Sequence, residues 1–412
     1  MIIDNLIGYQ VLDSRGRPTV AVTITLVDGQ VHTARVPSGA STGAHEAKEL
    51  RDQDGLGVLQ ACKNINEVIA PKLIGAECDL AHADEILKKL DPSSDHHILG
   101  ANATLAVSLA VTKASAGAKG ISIARLFQPQ GPLLIPMPMV NILSGGAHAN
   151  RTMDIQDVLV LPNGASSFNE AITWVRAIRE NAAKRGAKMG PAHLIADEGG
   201  LGLSFTSIDA ACEFVTNSIE EVGLQVGSQV SLALDIASTQ FFENGKYSLP
   251  TIGREFTSSQ FVSFMAKLVN EQPIISIEDP LAEDDWAAWA EFTSQVPDSL
   301  QILGDDLFTT NHARLDRGIA ESSANAILIK ANQNGLVTDT HHVLQTARAA
   351  EFRTVVSARS GETEDSWLAD LATGWRAEQI KVGSTHGADR TAKWNRLLEL
   401  EAIEQTEFAK PF

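Results

Sequence analysis

Between Asp235 and Lys381 the chain repeats one device, a short apolar run that stops on a charged or polar residue. Val230 to Leu234 stops on Asp235, Ile274 to Ile277 on Glu278, and Gln301 to Leu303 on Gly304-Asp305-Asp306. Ala326 to Ile329 stops on Lys330, Thr354 to Val356 on Ser357-Ala358-Arg359-Ser360, and Gln379-Ile380 on Lys381. An earlier run, Leu194-Ile195-Ala196, stops on Asp197-Glu198-Gly199-Gly200. Short apolar runs of this kind describe strands buried on both faces of a parallel sheet. After Glu278 the run is broken outright by Pro280, which cannot extend a ladder. From Glu278 through Asp305, Lys330 and Ser357 to Lys381 the intervals are 27, 25, 27 and 24 residues. Each interval accommodates one strand, one helix and two short loops, the repeat of an α/β barrel of the TIM type. In such a barrel the C-terminal tips of the strands meet at one mouth, so the charged residues are expected to meet there too.

The rest of the composition bounds the function. At 412 residues the chain is long enough for two domains. A net charge of −18 argues against nucleic acid and against an anionic membrane surface, both of which need a basic face. An anionic substrate would need metal ions and a few well-placed cations to overcome that background. Cys62, Cys78 and Cys212 show no metal-ligand spacing and read as free thiols of a reducing compartment. The N-terminus lacks a basic-then-apolar signal pattern, and no apolar run reaches the roughly 18 residues of a membrane span. The expectation is a soluble cytoplasmic protein.

The N-terminal third has a different texture. Val20, Val22, Ile24 and Leu26 alternate with small or polar residues, Asp28-Gly29 marks a turn, and Val31 to Val36 alternates again. That pattern predicts a hairpin. Pro37 to His45, PSGASTGAH, is Gly-rich and hydroxyl-rich, and it lacks the Gly-Lys-Ser/Thr ending of a Walker loop. Residues 38–45 are therefore read as a mobile active-site loop. Helical patterns follow over Val58 to Ile69, ending at Pro71, then Asp84 to Leu90 and Ala101 to Ala118. His96-His97 is expected in a surface turn between helices. Pro129 to Pro138 interrupts regular structure four times with proline, which sets a boundary between an α+β domain over 1–128 and the barrel over 135–412.

Three carboxylates at one mouth repel unless a divalent cation lies among them, and all-oxygen ligation by Asp235, Glu278 and Asp305 selects Mg²⁺ or a similar hard ion. Lys330 beside Lys381, near a metal, is expected to have its ammonium form disfavoured and to serve as a general base. Arg359 with Ser360 makes a cradle for phosphate or carboxylate. Glu198, outside the metal set, is free for proton transfer. Lysine base, carboxylate acid and metal triad are together what removal of a proton next to a carboxylate requires, through an enediolate stabilised by dense positive charge.

These residues sit in segments that resemble the enolase family over nearly the whole chain. The segments are LDSRG, PSGASTGAHEAKELRD, LGANA, SGGAHA, DIQD, DEGG, LALDIAS, IISIEDPLAEDDW, GDDLFTTN, NAILIK, SARSGETED and QIKVGS. The resemblance implies a β2α2(β/α)6 barrel with one antiparallel strand, preceded by the smaller α+β domain. It implies Mg-dependent, reversible dehydration of 2-phosphoglycerate to phosphoenolpyruvate, a glycolytic lyase reaction on a small phosphorylated carboxylate. Asp235, Glu278 and Asp305 then resemble the ligands of a first Mg²⁺, and Ser41 a ligand of a second that arrives with substrate. Lys330 resembles the base, Glu198 the acid, and Lys381 the residue that neutralises the substrate carboxylate region. Arg359 and Ser360 fall on the phosphate, while His148 and Gln156 match further active-site positions.

The departures are local. Ala358 stands where the family has His, Asp157 where it has the longer Glu, Leu201-Gly202-Leu203 where it has Phe-Ala-Pro, and Ala196 where it has Gly. They raise a second reading, a paralogue using the same metal-enediolate chemistry on another substrate or leaving group, such as a carboxyphosphonoenolpyruvate synthase. A non-catalytic binding protein would be expected to lose metal ligands that this chain keeps. Two ion pairs of the family dimer have no counterpart, since Tyr9 with Ala402 and Ala21 with Glu399 hold those positions. A homo-oligomer stays open.

Overall fold

The computed structural model describes residues 1–39, 43–149, 153–189 and 195–412, with the backbone alone at 147 and 148. Strands β1 (Ile3–Leu12), β2 (Pro18–Leu26) and β3 (Val31–Arg35) form an antiparallel sheet in that order. Val20, Val22, Ile24 and Leu26 are buried, as the alternation predicts. The β2–β3 turn falls at Asp28-Gly29, where Gly29 adopts φ +89°, a left-handed value that glycine reaches without a Cβ clash. Helix α1 (Leu80–Leu90) is capped by Asp79, whose side chain accepts from the His82 N–H. Helix α2 (Ala101–Ala118) is buried over most of its length, because its small side chains let β2 and β3 lie close against it.

Two local expectations change. The helical path begun at Leu59 continues past Pro71 to Leu73: a π-helical turn spans Ile65–Ile69, and Pro71 falls in the first turn of Ala70–Leu73. A proline is tolerated there because the early N–H groups of a helix have no partner to lose. His96 is buried rather than on the surface. Its ring lies over Gly335, where a Cβ would come 2.7 Å from the imidazole; His97 alone is exposed.

The second part is a closed eight-stranded barrel: β4 (Met137–Ser144), β5 (Asp157–Leu161), β6 (Ser231–Asp235), β7 (Ile274–Glu278), β8 (Gln301–Gly304), β9 (Ala326–Ile329), β10 (Arg353–Ser357) and β11 (Gln379–Lys381). β11 closes on β4 in parallel, and β5 runs antiparallel to both of its neighbours. Helices α3 (Phe168–Gly186) and α4 (Ile208–Glu220) separate β5 from β6. Then α5 (Ser258–Glu271), α6 (Trp286–Gln295), α7 (His312–Glu321), α8 (Val337–Ala349), α9 (Trp367–Gly374) and α10 (Ala388–Ile403) each follow one strand. The order is β2α2(β/α)6. Met137, Met139, Leu159, Leu161, Ala233, Leu303, Ala326, Leu328 and Val355 fill the interior, so the barrel is a packed core with chemistry confined to its mouth.

One apolar run is not a barrel strand. Ile195 makes only an isolated bridge to Leu201, in the connection between α3 and α4. Glu198 therefore reaches the mouth on a loop. The antiparallel course of β5 puts two helices and this connection before the next strand, which displaces the run from the barrel period. No helix among the described residues is long and apolar enough to cross a membrane, and Cys62, Cys78 and Cys212 are buried free thiols. Positions of the absent ion pairs are used within the chain: the Tyr9 and Thr23 hydroxyls lie 3.0 Å apart, and Arg396 donates to Glu399 at 3.2 Å.

Candidate active site

Register brings the charges together. Glu278 is paired with Asp235 across β7–β6, and Ser357 with Lys381 across β10–β11. β5 runs the other way, so its first residue, Asp157, reaches the same mouth and pairs with both Asp235 and Ser144. Asp235, Glu278 and Asp305 are 1%, 2% and 8% exposed. Three carboxylates this deep require compensation.

Two lysines provide it. Lys381 Nζ donates to Asp235 Oδ2 at 2.8 Å and to Glu278 Oε2 at 2.6 Å. Lys330 Nζ is ion-paired with Asp305 Oδ2, whose other oxygen accepts from Gln333 Nε2 at 2.9 Å. Gln156 Nε2 donates to Asp235 at 3.0 Å and is steadied by Gln240, whose Nε2 donates to the side-chain oxygen Gln156 Oε1 at 2.7 Å. Across the mouth, Asn141 Nδ2 donates to Glu198 Oε2 at 3.1 Å, and Ser144 donates to Asp157.

Electrostatics sets the state of the two lysines while they are the partners of these carboxylates. Burial alone would lower the Lys330 and Lys381 pKa values, but the facing carboxylates outweigh it and both are raised. The ammonium forms are favoured in this arrangement, because each lysine is in direct contact with a buried carboxylate. Glu278 shows the complementary stress: burial, then Asp235, pushes its carboxyl well above the ordinary range. The mouth is thus short of positive charge, and its donors are all hard oxygens. Asp235, Glu278 and Asp305 fit a divalent cation by that chemistry.

The tightest carboxylate group among the described residues is a different one. Oxygens of Asp279, Asp305 and Asp306 lie within 4.8 Å of one another, whereas the ammonium groups of Lys381 and Lys330 engage the oxygens of Asp235, Glu278 and Asp305. Asp279 already spends both oxygens on the backbone, accepting from the Asp305 N–H at 3.0 Å and the Asp306 N–H at 2.8 Å. It holds φ +42° to do so. We read Asp279 as the brace that sets the tip of β8, and Asp305 as the member that faces the mouth.

Next to Asp305 and Lys330, and linked to them through Gln333, which also reaches Glu46 at 3.4 Å, Arg359 Nη1 donates to Glu46 Oε2 at 2.8 Å and to Asn332 Oδ1 at 3.1 Å, and its Nη2 donates to Glu46 Oε1 at 3.2 Å. Arg15 Nη2 donates to Asp13 at 2.9 Å and to the Ser38 carbonyl at 3.0 Å, and its Nη1 reaches Ser360 Oγ at 3.5 Å. Ser38 and Gly361 exchange backbone hydrogen bonds at 2.8 and 2.9 Å. The segment flanking the Gly-rich loop is thereby fastened to the Arg359–Ser360 turn. Ala358 is buried and presents only a methyl group. Of the other residues singled out from the sequence, Ser41 lies outside the described residues, and His148 lies in the turn Gly146–Ala149 with its side chain outside them.

Sequence reasoning missed Glu46, Arg15, Gln333, Asn141 and Gln240. Glu46 and Arg15 lie within the family-like segments, next to the loop and in LDSRG, so a signal existed. Asn141 and Gln240 carry no such signal, because an amide in a strand or turn is ordinary until its partner is seen.

A closed barrel with one reversed strand, and a mouth of buried carboxylates and lysines, define an α/β barrel of the enzyme type, with its chemistry at the strand tips. Residues 3–127 match the enolase N-terminal domain, and residues 132–409 match the enolase C-terminal TIM barrel domain. The chain belongs to the enolase family, as an enolase or a close paralogue.

Proposed function

We propose that the protein catalyses the reversible, Mg-dependent dehydration of 2-phosphoglycerate to phosphoenolpyruvate. The observation that carries this reading is the placement of Lys330 and Glu198 at one mouth, with Asp235, Glu278 and Asp305 buried beside them. A divalent ion held by those three carboxylates would take over the charge compensation that the lysines now give and would stabilise negative charge developing on a substrate carboxylate. Lys330, as the neutral amine, takes the C2 proton. Glu198, protonated, gives its proton to the C3 hydroxyl, which leaves as water as the C2–C3 double bond forms. Lys381 neutralises the substrate carboxylate, and Gln156 and Asp157 line the same wall. Arg359 and Ser360 receive the phosphate, with Ser41 and His148 completing the site by family resemblance. A second Mg²⁺ would come in with the substrate. This reading divides the chain into a domain over 1–128, which supplies Glu46 and Arg15, and a barrel domain over 135–412. It carries with it a glycolytic, cytoplasmic setting.

Ala358 and Asp157 favour a second reading, the same proton abstraction on another leaving group. A methyl group cannot donate a hydrogen bond, and a carboxylate shortened by one methylene moves by more than 1 Å, a displacement that can cost about a hundredfold in rate. The absorbance of phosphoenolpyruvate formed from 2-phosphoglycerate with Mg²⁺ decides between the two, with Lys330→Ala as control. Turnover lost about a thousandfold or more in Lys330→Ala supports the first reading. If the parent gives no product yet exchanges the C2 proton in a Lys330-dependent way, the second reading stands.

A further inference from the structure

Glu198 stands on the loop between α3 and α4, and its backbone is held from three sides. The Ser384 N–H donates to the Glu198 carbonyl at 2.8 Å. Arg390 Nη2 donates to the Asp197 carbonyl at 3.4 Å, and Arg179 Nη2, from α3, donates to the Gly199 carbonyl at 3.1 Å. The turn itself is closed by the Gly199 N–H on Ala196 and the Ala196 N–H on Gly200, with Gly199 at φ +85°.

The two guanidinium groups differ in kind. Arg390 is ion-paired with Asp389 at 2.7 Å and also donates to the Arg359, Ser360 and Val382 carbonyls. Arg179 is 2% exposed and has no carboxylate within ion-pair distance among the described residues; residues 40–42, 150–152 and 190–194 include no Asp or Glu. Its Nε finds no acceptor among the described residues. Burial lowers its pKa to about 10, which leaves it charged at neutral pH. A buried, unpaired cation opposes folding, and replacing such a group by an apolar one of similar shape is commonly neutral or stabilising. A residue that lowers stability and touches the backbone next to the acid is what a site under functional constraint looks like.

We propose that Arg179 is a positioning residue that fixes Glu198 for proton delivery to the leaving group, acting through the Gly199 carbonyl. The inference rests on the role given to Glu198 above. Loss of the anchor lets the acid drift on its loop, while the lysine side of the mouth, built on other strands, is untouched. The elimination step slows, and proton exchange at C2 does not.

The test uses Arg179→Met and Arg179→Lys in the full chain, with Glu198→Gln alongside. Thermal melting, kcat, KM and exchange of the C2 proton of 2-phosphoglycerate in D2O are measured. Arg179→Met is expected to melt at or above the parental temperature, to lose about 10- to 100-fold in kcat, and to keep KM within about twofold and C2 exchange near parental. Arg179→Lys, which can still donate to the carbonyl, should recover part of the kcat. A melting temperature lowered by more than about 4 °C, a parental kcat, or C2 exchange lost in step with turnover would each overturn the inference. If Glu198→Gln itself turns over at the parental rate, the role of Glu198 falls. If Glu198→Gln is inactive while Arg179→Met is parental, only the role of Arg179 falls.

Discussion

The two walls of the mouth are built by different means. On the side proposed for metal binding and proton transfer, each charged group stands at or just beyond the tip of its own strand, and neighbouring tips are set by register: Asp235 by β6, Glu278 by β7, Asp305 by β8, Lys330 by β9 and Lys381 by β11. On the side proposed for the phosphate, Arg359 is oriented by Glu46, 313 residues away, and Ser360 is approached by Arg15, 345 residues away. The first wall follows once the barrel closes. The second exists only when the N-terminal part docks on the barrel. The first wall should therefore break as chemistry and the second as substrate binding.

The largest effect belongs to the first wall. Glu278→Gln removes one charge from the buried set while keeping its shape, and turnover should fall by at least ~100-fold, since even outer-shell changes at metal sites cost 10- to 100-fold. Calorimetric titration with Mg²⁺ locates the cause, because affinity should fall together with turnover. Asp279→Asn is the counterpart, as Asp279 belongs to the tighter carboxylate group but is committed to the backbone. Should Asp279→Asn lose Mg²⁺ affinity while Glu278→Gln keeps it, the ion belongs to Asp279, Asp305 and Asp306, and the assignment of the first wall is wrong.

A smaller, differently shaped effect belongs to the second wall. Glu46→Gln weakens the hold on Arg359, where charge-assisted hydrogen bonds contribute about 1.5–3 kcal/mol. KM for the phosphorylated substrate should rise about tenfold, with kcat within about threefold. Steady-state kinetics at several substrate concentrations reads both. A KM that falls instead would mean that Glu46 competes with the phosphate for Arg359 rather than orienting it.

The same contrast explains what the sequence revealed. Strand tips are local, so apolar runs ending on Asp235, Glu278, Asp305, Lys330 and Lys381 disclosed the barrel and the charges gathered at its mouth before any contact was known. The partnership of Arg359 with Glu46 left no trace in spacing, because side-chain pairing across a domain contact has no period. Glu198 was legible as a residue but not in its placement, since the reversed strand β5 takes its run out of the barrel repeat. The ionisation of Lys330 and Lys381 is not legible in sequence for a related reason: a lysine's state depends on which charge is nearest, and that is a matter of ångströms rather than of spacing. Arg179 was invisible, because an arginine in the middle of an amphipathic helix reads as a solvated face.

A titration remote from both walls supplies the baseline against which these effects are measured. His341, on α8, stacks on Trp375 with ring centroids 5.3 Å apart and meets the edge of Phe127 at 5.4 Å. Burial, helped by Arg348 and His342, lowers its pKa from 6.5 to about 4. Because the folded value lies below the unfolded one, the neutral ring favours the folded state above about pH 6.5. That contribution is lost as pH falls toward 4, where the unfolded chain has already bound its proton. The loss amounts to about 2 kcal/mol once the partial exposure of the ring is discounted. His341→Leu keeps an apolar side chain against Trp375 and removes the titration. Its melting temperature, followed from pH 7 to pH 4, should decline less steeply than that of the parent, and parallel curves would show that the fold does not lower the His341 pKa. Because α8 contributes no residue to either wall, the KM of His341→Leu at neutral pH should match the parent, and a shift there would show that the phosphate wall is coupled to the barrel's outer layer.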